Sequence, residues 1–305
     1  MTGGAEVSPA GGARRIPPPA DGAVAPMPGP RARLGECPVR DRRYGWLLWL
    51  DIEGAALYAF EPGGALRAWS LPERICSFDV PRPGWQPPAA LAGRPFVGCG
   101  DSGLAWIGVG DEEVVIAPIA DPERDRPENR YNDGKFGPDG RYWAGTMHRR
   151  EEAPTGSLYA FGPDGGCAIL GRGYRVSNGP AFSPDGKTVY HADSPRGEVY
   201  AFDLTADGGL SRERTLLRFA EDEGKPDGMT TDCEGSLWIA VWDGGRVEKV
   251  SPEGTRLGAV EVPTLRPTSC AFVDDECTEI LVTSASVGVP DTDELAGRSF
   301  RVRLG

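Results

Sequence analysis

Residues 129–147 read NRYNDGKFGPDGRYWAGTM, which is a polar segment, a glycine-rich turn and then a strand-like aromatic run. Short hydrophobic strands like this run, mostly with an aromatic residue near the middle, recur along the chain. They are LLWLD (47–51), LAWIG (104–108), RYWAGT (141–146), TVYHAD (188–193), LWIAV (237–241) and EILVTSA (279–285). Six repeat units with steps of 57, 37, 47, 48 and 43 residues follow from aligning Trp49, Trp106, Trp143, Tyr190, Trp238 and Leu281.

Each unit also carries the marks of a hairpin. The turn sequences PDGR, PDGK and CEGS precede three of the strands, and their glycines supply the positive φ of tight turns. A second strand follows in four units: LYAFEP (57–62), LYAFGP (158–163), VYAFDL (199–204) and VEKVSP (247–252). No stretch shows a helical period of useful length. Units of about 40–50 residues with about four strands are typical of propeller blades. We therefore predict an all-β, six-bladed β-propeller, with an all-β solenoid as the alternative.

The propeller is predicted to be a single domain over residues 31–305, since closed all-β folds often reach this length as one domain. Its last strand, SFRVRL (299–304), is expected to complete a blade with N-terminal sequence. Residues 1–30 are rich in Gly, Ala and Pro and are predicted to be a disordered extension. A twin-arginine signal at Arg14 and Arg15 is disfavoured because prolines and Asp21 interrupt the segment that follows.

The net charge and the hydropathy of the chain disfavour nucleic acid and membranes as partners. The net charge of −12 disfavours binding to nucleic acid and to anionic membranes. No segment approaches the roughly 20 consecutive apolar residues of a membrane span. The 43 glycines, 29 prolines and 8 tryptophans fit many short strands joined by tight turns. A small molecule is therefore the expected partner.

The seven cysteines are irregularly spaced, odd in number and lack a C-x-x-C pair. They are Cys37, Cys76, Cys99, Cys167, Cys233, Cys270 and Cys277. This pattern argues against a disulfide framework and against a zinc–thiolate site. It favours a reducing compartment, so we predict a cytoplasmic location.

Polar residues precede the repeat strands at similar distances. Glu36, Asn132, Asn178 and Asp227 lie 13, 11, 12 and 11 residues before the aligned aromatic residue of their units. Because equivalent blade positions point the same way, these side chains are expected to converge at one end of the central channel. The competing interpretation is that the Asn-Gly and Asp-Gly pairs are only hairpin turns.

The oxygen atoms of Glu36, Asn178 and Asp227 would suit one hard divalent cation. Ca²⁺, Mg²⁺ and Mn²⁺ are favoured over Zn²⁺ and Fe(II), because no His or Cys belongs to the set.

Four stretches of this sequence resemble the SMP-30/gluconolactonase/LRE-like family: LGECPVRDRRYGWLLWLDIEG (34–54), RYNDGKFGPDGRYWAGTM (130–147), SNGPAFSPDGKTVYHADS (177–194) and PDGMTTDCEGSLWIAVWDGGRV (226–247). The resemblance implies a six-bladed propeller with one divalent metal in the channel and, in many members, hydrolysis of sugar lactones. It places Glu36, Asn178 and Asp227 on metal-binding positions and Asp227 also on the proton donor and acceptor. It places Arg130 and Asn132 on substrate-binding positions.

The sequence departs from the family at three places. Cys37 stands where the family usually has Gly. Arg150 stands at a substrate-contacting Glu, so the neighbouring Glu151 is predicted to line the substrate rim. His148 directly follows Gly-Thr-Met and is predicted to face the channel, where it would bond a sugar hydroxyl or act as an accessory proton shuttle. The alternative is a packed or solvated histidine. The second blade carries an insertion that would form a lid or, as we favour, a surface loop. The other histidine, His191, lies inside a repeat strand and is interpreted as structural.

These observations predict metal-dependent hydrolysis of a sugar lactone such as gluconolactone, arabinonolactone or xylonolactone. One alternative is a non-catalytic Ca²⁺-binding regulatory propeller, which would use the same three oxygen ligands. Another is a six-bladed lactonase or esterase of broader scope.

Overall fold

The computed structural model describes residues 24–304 as six four-stranded antiparallel sheets arranged in a ring, which confirms the predicted six-bladed β-propeller. The described chain begins with β1 (Val24–Pro26). The first blade contains β2 (Gly35–Asp41), β3 (Trp46–Asp51), β4 (Ala56–Phe60) and β5 (Leu66–Ser70). The second contains β6 (Ile75–Asp79), β7 (Arg94–Gly100), β8 (Gly103–Val109) and β9 (Val114–Ala120). The third contains β10 (Asn129–Phe136), β11 (Tyr142–His148), β12 (Gly156–Phe161) and β13 (Cys167–Tyr174).

The fourth blade contains β14 (Ser177–Phe182), β15 (Thr188–Asp193), β16 (Glu198–Leu204) and β17 (Leu210–Arg218). The fifth contains β18 (Lys225–Thr231), β19 (Leu237–Trp242), β20 (Arg246–Val250) and β21 (Arg256–Glu261). The sixth contains β22 (Pro267–Phe272), β23 (Glu279–Ser284) and β24 (Phe300–Arg303), with β1 as its fourth strand. The helical content of residues 24–304 is a single 3-10 turn, Ser194–Arg196, and no helix in this range is long and apolar enough to cross a membrane.

The ring closes through its N-terminal strand. Val24 pairs with Val302 in an antiparallel ladder, so the last strand completes its blade with N-terminal sequence as predicted. This pairing corrects the C-terminal part of the predicted extension over residues 1–30, because Val24–Pro26 form the fourth strand of the sixth blade. The strand is only three residues long and carries two exposed side chains, so it lacks the apolar alternation that marks a strand in sequence. Residues 1–23 lie outside the described part of the chain.

The first strand of each blade faces the central channel. These inner strands are β2, β6, β10, β14, β18 and β22, and each contacts the inner strand of the next blade around the ring. Each of them also contains a shift of register against its neighbour, near the end at which it enters the channel. Such bulges redirect side chains locally, and in four blades they lie at or beside Glu36, Asn132, Asn178 and Asp227.

The repeated aromatic residues are the packing units between the blades. Trp49, Trp143, Tyr190 and Trp238 lie in the second strands of their blades and are at most 4 % exposed. Burial of side chains of this size contributes about 1.5–3 kcal/mol each.

One of the six repeat assignments is wrong. Trp106 lies in β8, the third strand of the second blade, whereas the second strand is β7. Placing Val97 of β7 in the alignment gives steps of 48 and 46 residues in place of 57 and 37. The error arose because β7 (RPFVGCG) has no aromatic residue at its middle, whereas β8 does.

The true insertion of the second blade is residues 80–93, between β6 and β7. Its Trp85 is 5 % exposed, packs edge-on against Phe136 at 5.2 Å, and donates a hydrogen bond from Nε1 to the carbonyl of Gly140 (2.8 Å). The loop leaves the sheet after Asp79, at the channel end opposite to Glu36. It is therefore a packed surface loop and not a lid over the predicted site.

The cysteines contradict one prediction, because Cys233 and Cys277 form a disulfide. The two residues are 44 positions apart, which is one blade repeat. They occupy corresponding turns of adjacent blades, and the ring brings these turns side by side. Disulfides persist in oxidising compartments, so the cysteine pattern no longer supports the predicted cytoplasmic location, which stays a prediction.

Candidate functional site

A cavity of about 320 Å³ occupies one mouth of the channel. Six of the predicted site residues line it: Glu36, Arg130, Asn132, Glu151, Asn178 and Asp227. They come from the first, third, fourth and fifth blades, as the repeat phase predicts. A pocket of this volume has room for one small ligand such as a sugar.

The bulges of the inner strands explain why these residues face the cavity. Asp227 lies between Pro226 and Met229, where the ladder of β18 against β19 is interrupted. Asn178 is the last paired residue before the corresponding interruption in β14. The Asn-Gly and Asp-Gly pairs therefore lie in inner strands, and the interpretation as hairpin turns is wrong.

Glycine follows these site residues for reasons of space and conformation. A Cβ atom at Gly228 would lie 2.2 Å from Oγ of Ser269 in the next inner strand. Gly179 has a φ of 81°, in the region that favours glycine. Cys37 also has a positive φ, 51°, which glycine adopts more easily than other residues. Its buried thiol lies 3.2 Å from the backbone nitrogen and oxygen of Phe78, so Cys37 packs between two blades.

Glu36 and Asp227 form a buried carboxylate pair. They are 9 % and 7 % exposed, and neither forms an ion pair with a side chain in residues 24–304. Burial, with a further contribution from the charge of Asp133, raises the pKa of Glu36 to about 8. Burial and the charge of Glu36 raise the pKa of Asp227 well above its usual range. Two buried carboxylates without a cationic partner make a site that favours a bound cation.

A chain of hydrogen bonds orients the amide ligand. Nη1 of Arg130, which can only donate, donates to Oδ1 of Asn132 (3.0 Å) and so determines the orientation of that amide. Nδ2 of Asn132 then donates to Oδ1 of Asn178 (2.8 Å), whose Nδ2 donates to Oγ of Ser194 (2.7 Å). Since a carbonyl oxygen has two lone pairs, one lone pair of Asn178 Oδ1 stays available for a cation.

The residues present fit a hard divalent cation. In residues 24–304, no three His, Cys, Asp or Glu side chains come together in a way that could hold a metal ion. The predicted set therefore depends on the amide oxygen of Asn178 in addition to the carboxylates of Glu36 and Asp227. Such an oxygen-only set suits Ca²⁺, Mg²⁺ or Mn²⁺.

Asp133 holds the strands beneath the site and does not line the cavity. Its Oδ1 accepts a hydrogen bond from the backbone of Gly134 (2.7 Å), and its Oδ2 accepts one from Gly179 in the next blade (3.0 Å). Burial raises its pKa. Nearby, Nζ of Lys135 donates to the carbonyl of Met229 (2.7 Å). This layer joins three neighbouring inner strands just below the site.

The two histidines lie outside the cavity lining. His148 is 8 % exposed, and its Nδ1 accepts hydrogen bonds from the backbone nitrogens of Arg150 and Glu152, which leaves its predicted contact with substrate without support. His191 is fully buried, and its Nε2 lies 2.6 Å from Oγ of Ser177. Burial lowers the pKa of His191 to about 3, in agreement with a structural, neutral imidazole.

Sequence reasoning missed several residues of the cavity. These are Leu34, Met147, Val176, Ser194, Pro195, Lys225, Trp242, Asp243 and Arg266. Several of them follow or end the second strand of a blade. Because this strand runs antiparallel to the inner strand, its last residues return to the mouth where the inner strand begins. The residues at the end of each aromatic repeat strand could therefore have been predicted to line the cavity.

A larger cavity of about 670 Å³ lies at the opposite end of the channel, lined by residues such as Arg40, Asp79 and Arg82. None of the six predicted site residues lines this larger cavity. We place the site at the smaller cavity, because the buried carboxylates and the amide relay converge there.

The sequence and the fold are both similar to those of known proteins. The family model described as "SMP-30/Gluconolactonase/LRE-like region" matches residues 34–286. Regucalcin from Gallus gallus is 36 % identical and is covered over 85 % of each chain. The 6-deoxy-6-sulfogluconolactonase from Pseudomonas putida is 32 % identical, with 83 % of each chain covered. The crystal structure of a calcium-binding protein, regucalcin, from Agrobacterium tumefaciens superposes with a TM-score of 0.80 at 28 % identity, covering 90 % of each chain. The chain therefore belongs to the SMP-30/gluconolactonase/LRE-like family.

Proposed function

We propose that this protein hydrolyses a sugar lactone to the corresponding aldonic acid, with a divalent cation held by Glu36, Asn178 and Asp227. The observation that carries the proposal is the convergence of this oxygen donor set with Arg130 in one sugar-sized cavity. A site that only held an ion would not require a guanidinium in its wall.

A bound cation would act as a Lewis acid on the lactone carbonyl. Asp227 would accept a proton from the attacking water and return it to the ring oxygen as the ring C–O bond breaks. Nε and Nη2 of Arg130 have no hydrogen-bond partner in residues 24–304, so they are available to donate to the sugar or to developing negative charge.

Glu151 and Lys225 would bound the outer part of the substrate. Both side chains line the cavity, and neither forms an ion pair within the described residues. The free ammonium of Lys225 would suit an anionic substituent on the sugar. The Pseudomonas relative is named for such a lactone, so a sulfonated gluconolactone belongs in the substrate panel.

The second candidate is a non-catalytic calcium-binding propeller. It is favoured by the similarity to regucalcin from Agrobacterium tumefaciens, which is described as calcium-binding. The same three ligands would serve this function, without turnover.

The two candidates separate in one assay. Purified protein is mixed with glucono-, arabinono-, xylono- and 6-deoxy-6-sulfogluconolactone, and acid release is followed with a pH indicator after chelation and after addition of Ca²⁺, Mg²⁺, Mn²⁺, Zn²⁺ or Fe²⁺. We expect metal-dependent acid release that is abolished in Glu36→Ala and Asp227→Ala. Calcium binding without acid release from any lactone would support the second candidate. Near-wild-type turnover of either variant under chelation would refute the proposed mechanism.

A further inference from the structure

The chain makes a tight turn directly after β11, at the edge of the cavity. The carbonyl of His148 accepts a hydrogen bond from the backbone nitrogen of Glu151 (2.9 Å). The imidazole folds back over the same turn, where Nδ1 accepts from the backbone nitrogens of Arg150 and Glu152, both at 3.3 Å. One side chain therefore holds the amides on both sides of Glu151.

Glu151 has an unusual backbone conformation. Its backbone angle φ is 58°, a value that residues other than glycine rarely adopt. Such a conformation persists only where the surroundings impose it, and it occurs often at binding sites. Here the hydrogen bonds to His148 impose it, because they constrain the peptide groups before and after Glu151.

The consequence of this conformation is the direction of one side chain. Glu151 lines the cavity, and its charge reaches Asp227, where it adds to the raised pKa. The neighbouring Arg150 and Glu152 pair with each other at 3.0 Å and are mostly exposed. The turn thus presents one of three consecutive charged residues to the ligand.

We propose that His148 is a positioning residue whose unprotonated Nδ1 sets the turn that presents Glu151 to the ligand as a hydrogen-bond acceptor for a sugar hydroxyl. The imidazole itself is buried and does not line the cavity. Its effect on the ligand passes through the two backbone amides and then through Glu151. The kinetic part of this inference rests on the proposed lactonase function.

Three replacements of His148 separate the acceptor atom from the rest of the ring. In His148→Asn, the amide Oδ1 takes the place of Nδ1 and can accept from the backbone two residues further on. In His148→Gln, the polar atoms lie one bond further out, and His148→Ala has no acceptor. Arg150→Ala is the matched control, because it removes an exposed side chain from the same turn.

We expect His148→Ala and His148→Gln to raise the KM for the lactone about five- to tenfold, with kcat changed less than about twofold. His148→Asn and Arg150→Ala should keep both parameters within about twofold of the wild type. Glu151→Gln should raise KM in the same way, and His148→Ala should add little in the Glu151→Gln background, because the two changes remove one interaction. An unchanged KM in folded His148→Ala, or a KM in His148→Asn as high as in His148→Ala, would overturn the inference.

Amide hydrogen exchange tests the same inference without turnover. In the full-length protein, the amides of residues 150 and 152 should lose protection in His148→Ala and His148→Gln and keep it in His148→Asn. Unchanged protection in His148→Ala would overturn the inference even in an active enzyme. Absence of lactonase activity in the wild type would refute the proposed function and leave this measurement to decide the role of His148. The melting temperature of each variant shows whether it is folded.

Discussion

Metal binding to this protein should release protons at neutral pH. The reason is that the cavity buries two carboxyl groups, Glu36 and Asp227, neither of which forms an ion pair with a basic side chain. The perturbation is titration of the metal-free protein with Ca²⁺ or Mn²⁺. Burial raises the pKa of Glu36 to about 8, so this group is mostly protonated at pH 7. Metal ligation requires the ionised form. Ligation by Glu36 and Asp227, whose pKa is also raised, should therefore release on the order of one proton per bound ion at pH 7.

The assay is calorimetric titration in several buffers of different ionisation enthalpy, in which the dependence of the heat on the buffer gives the number of protons released. The release should fall when the pH is raised to 9, because Glu36 is then mostly ionised before metal binds. Glu36→Gln should remove most of this release at pH 7 and weaken binding. Glu152→Gln, which neutralises an exposed carboxylate near the cavity, is the control and should leave the release unchanged. Release of fewer than about 0.2 proton by the wild type at pH 7 would refute the reasoning.

The same pKa shift has a consequence for stability. A carboxyl group with a raised pKa in the folded state favours folding only while it is protonated, so metal-free protein should lose stability as the pH rises from about 4.5 towards 8. At pH 8, metal-free Glu36→Gln should be more stable than the wild type by several kcal/mol, because this variant has no carboxyl group at position 36 to ionise in the buried cavity. The difference should shrink towards pH 4.5 and should be smaller with saturating metal. Denaturant unfolding of both proteins across this pH range measures it.

Three further predictions concern the disulfide, Lys225 and Asn132. Opening the disulfide in Cys233→Ser should lower the stability by about 4 kcal/mol on the loop-closure model for 44 residues, or about 5–8 °C in melting temperature, whereas Cys167→Ser should change it little. Thiol titration shows when reductant has opened the disulfide and freed Cys277. If the melting temperature of the reduced wild type is then unchanged, the prediction is wrong. Lys225→Ala should reduce kcat/KM about tenfold for a sulfonated lactone and less than about twofold for gluconolactone, so equal losses on both would argue against charge recognition. Asn132→Ala should lower both metal affinity and kcat/KM by about ten- to a hundredfold, because the amide ligand loses the donor that orients it; unchanged metal affinity by calorimetry would show that the relay has no effect.

The repeat phase correctly predicted that polar residues from several blades would meet at one mouth of the channel. Glu36, Asn178 and Asp227 are far apart in sequence, yet they share one cavity because each begins an inner strand at the same level. Arg130 and Asn132 reach the same cavity, but the hydrogen bonds give them a second role that the sequence could not show. They orient the amide of Asn178, and this depends on which atoms lie within about 3 Å across the blade boundary.

Two predictions were wrong because local sequence patterns do not specify strand order or contacts between blades. Trp106 was assigned to the wrong strand because an aromatic residue marks packing and not strand order. The disulfide was missed because cysteine spacing was compared with local motifs and not with the blade period.

The sequence by itself determined the architecture of this protein and which polar residues line the candidate site. Strands of alternating polarity recur with a period near 45 residues, and each repeat can bury its apolar faces only against the neighbouring repeats of the same chain. Closure of these repeats into a ring follows from this. The tertiary structure alone decided which polar atoms meet. The closure of the ring through Val24–Pro26, the raised pKa of Glu36, the relay from Arg130 to Ser194 and the direction of Glu151 all result from burial and distance between segments remote in sequence. Desolvation and hydrogen bonding depend on the distances between atoms in the folded chain, and the order of residues along the chain does not specify these distances.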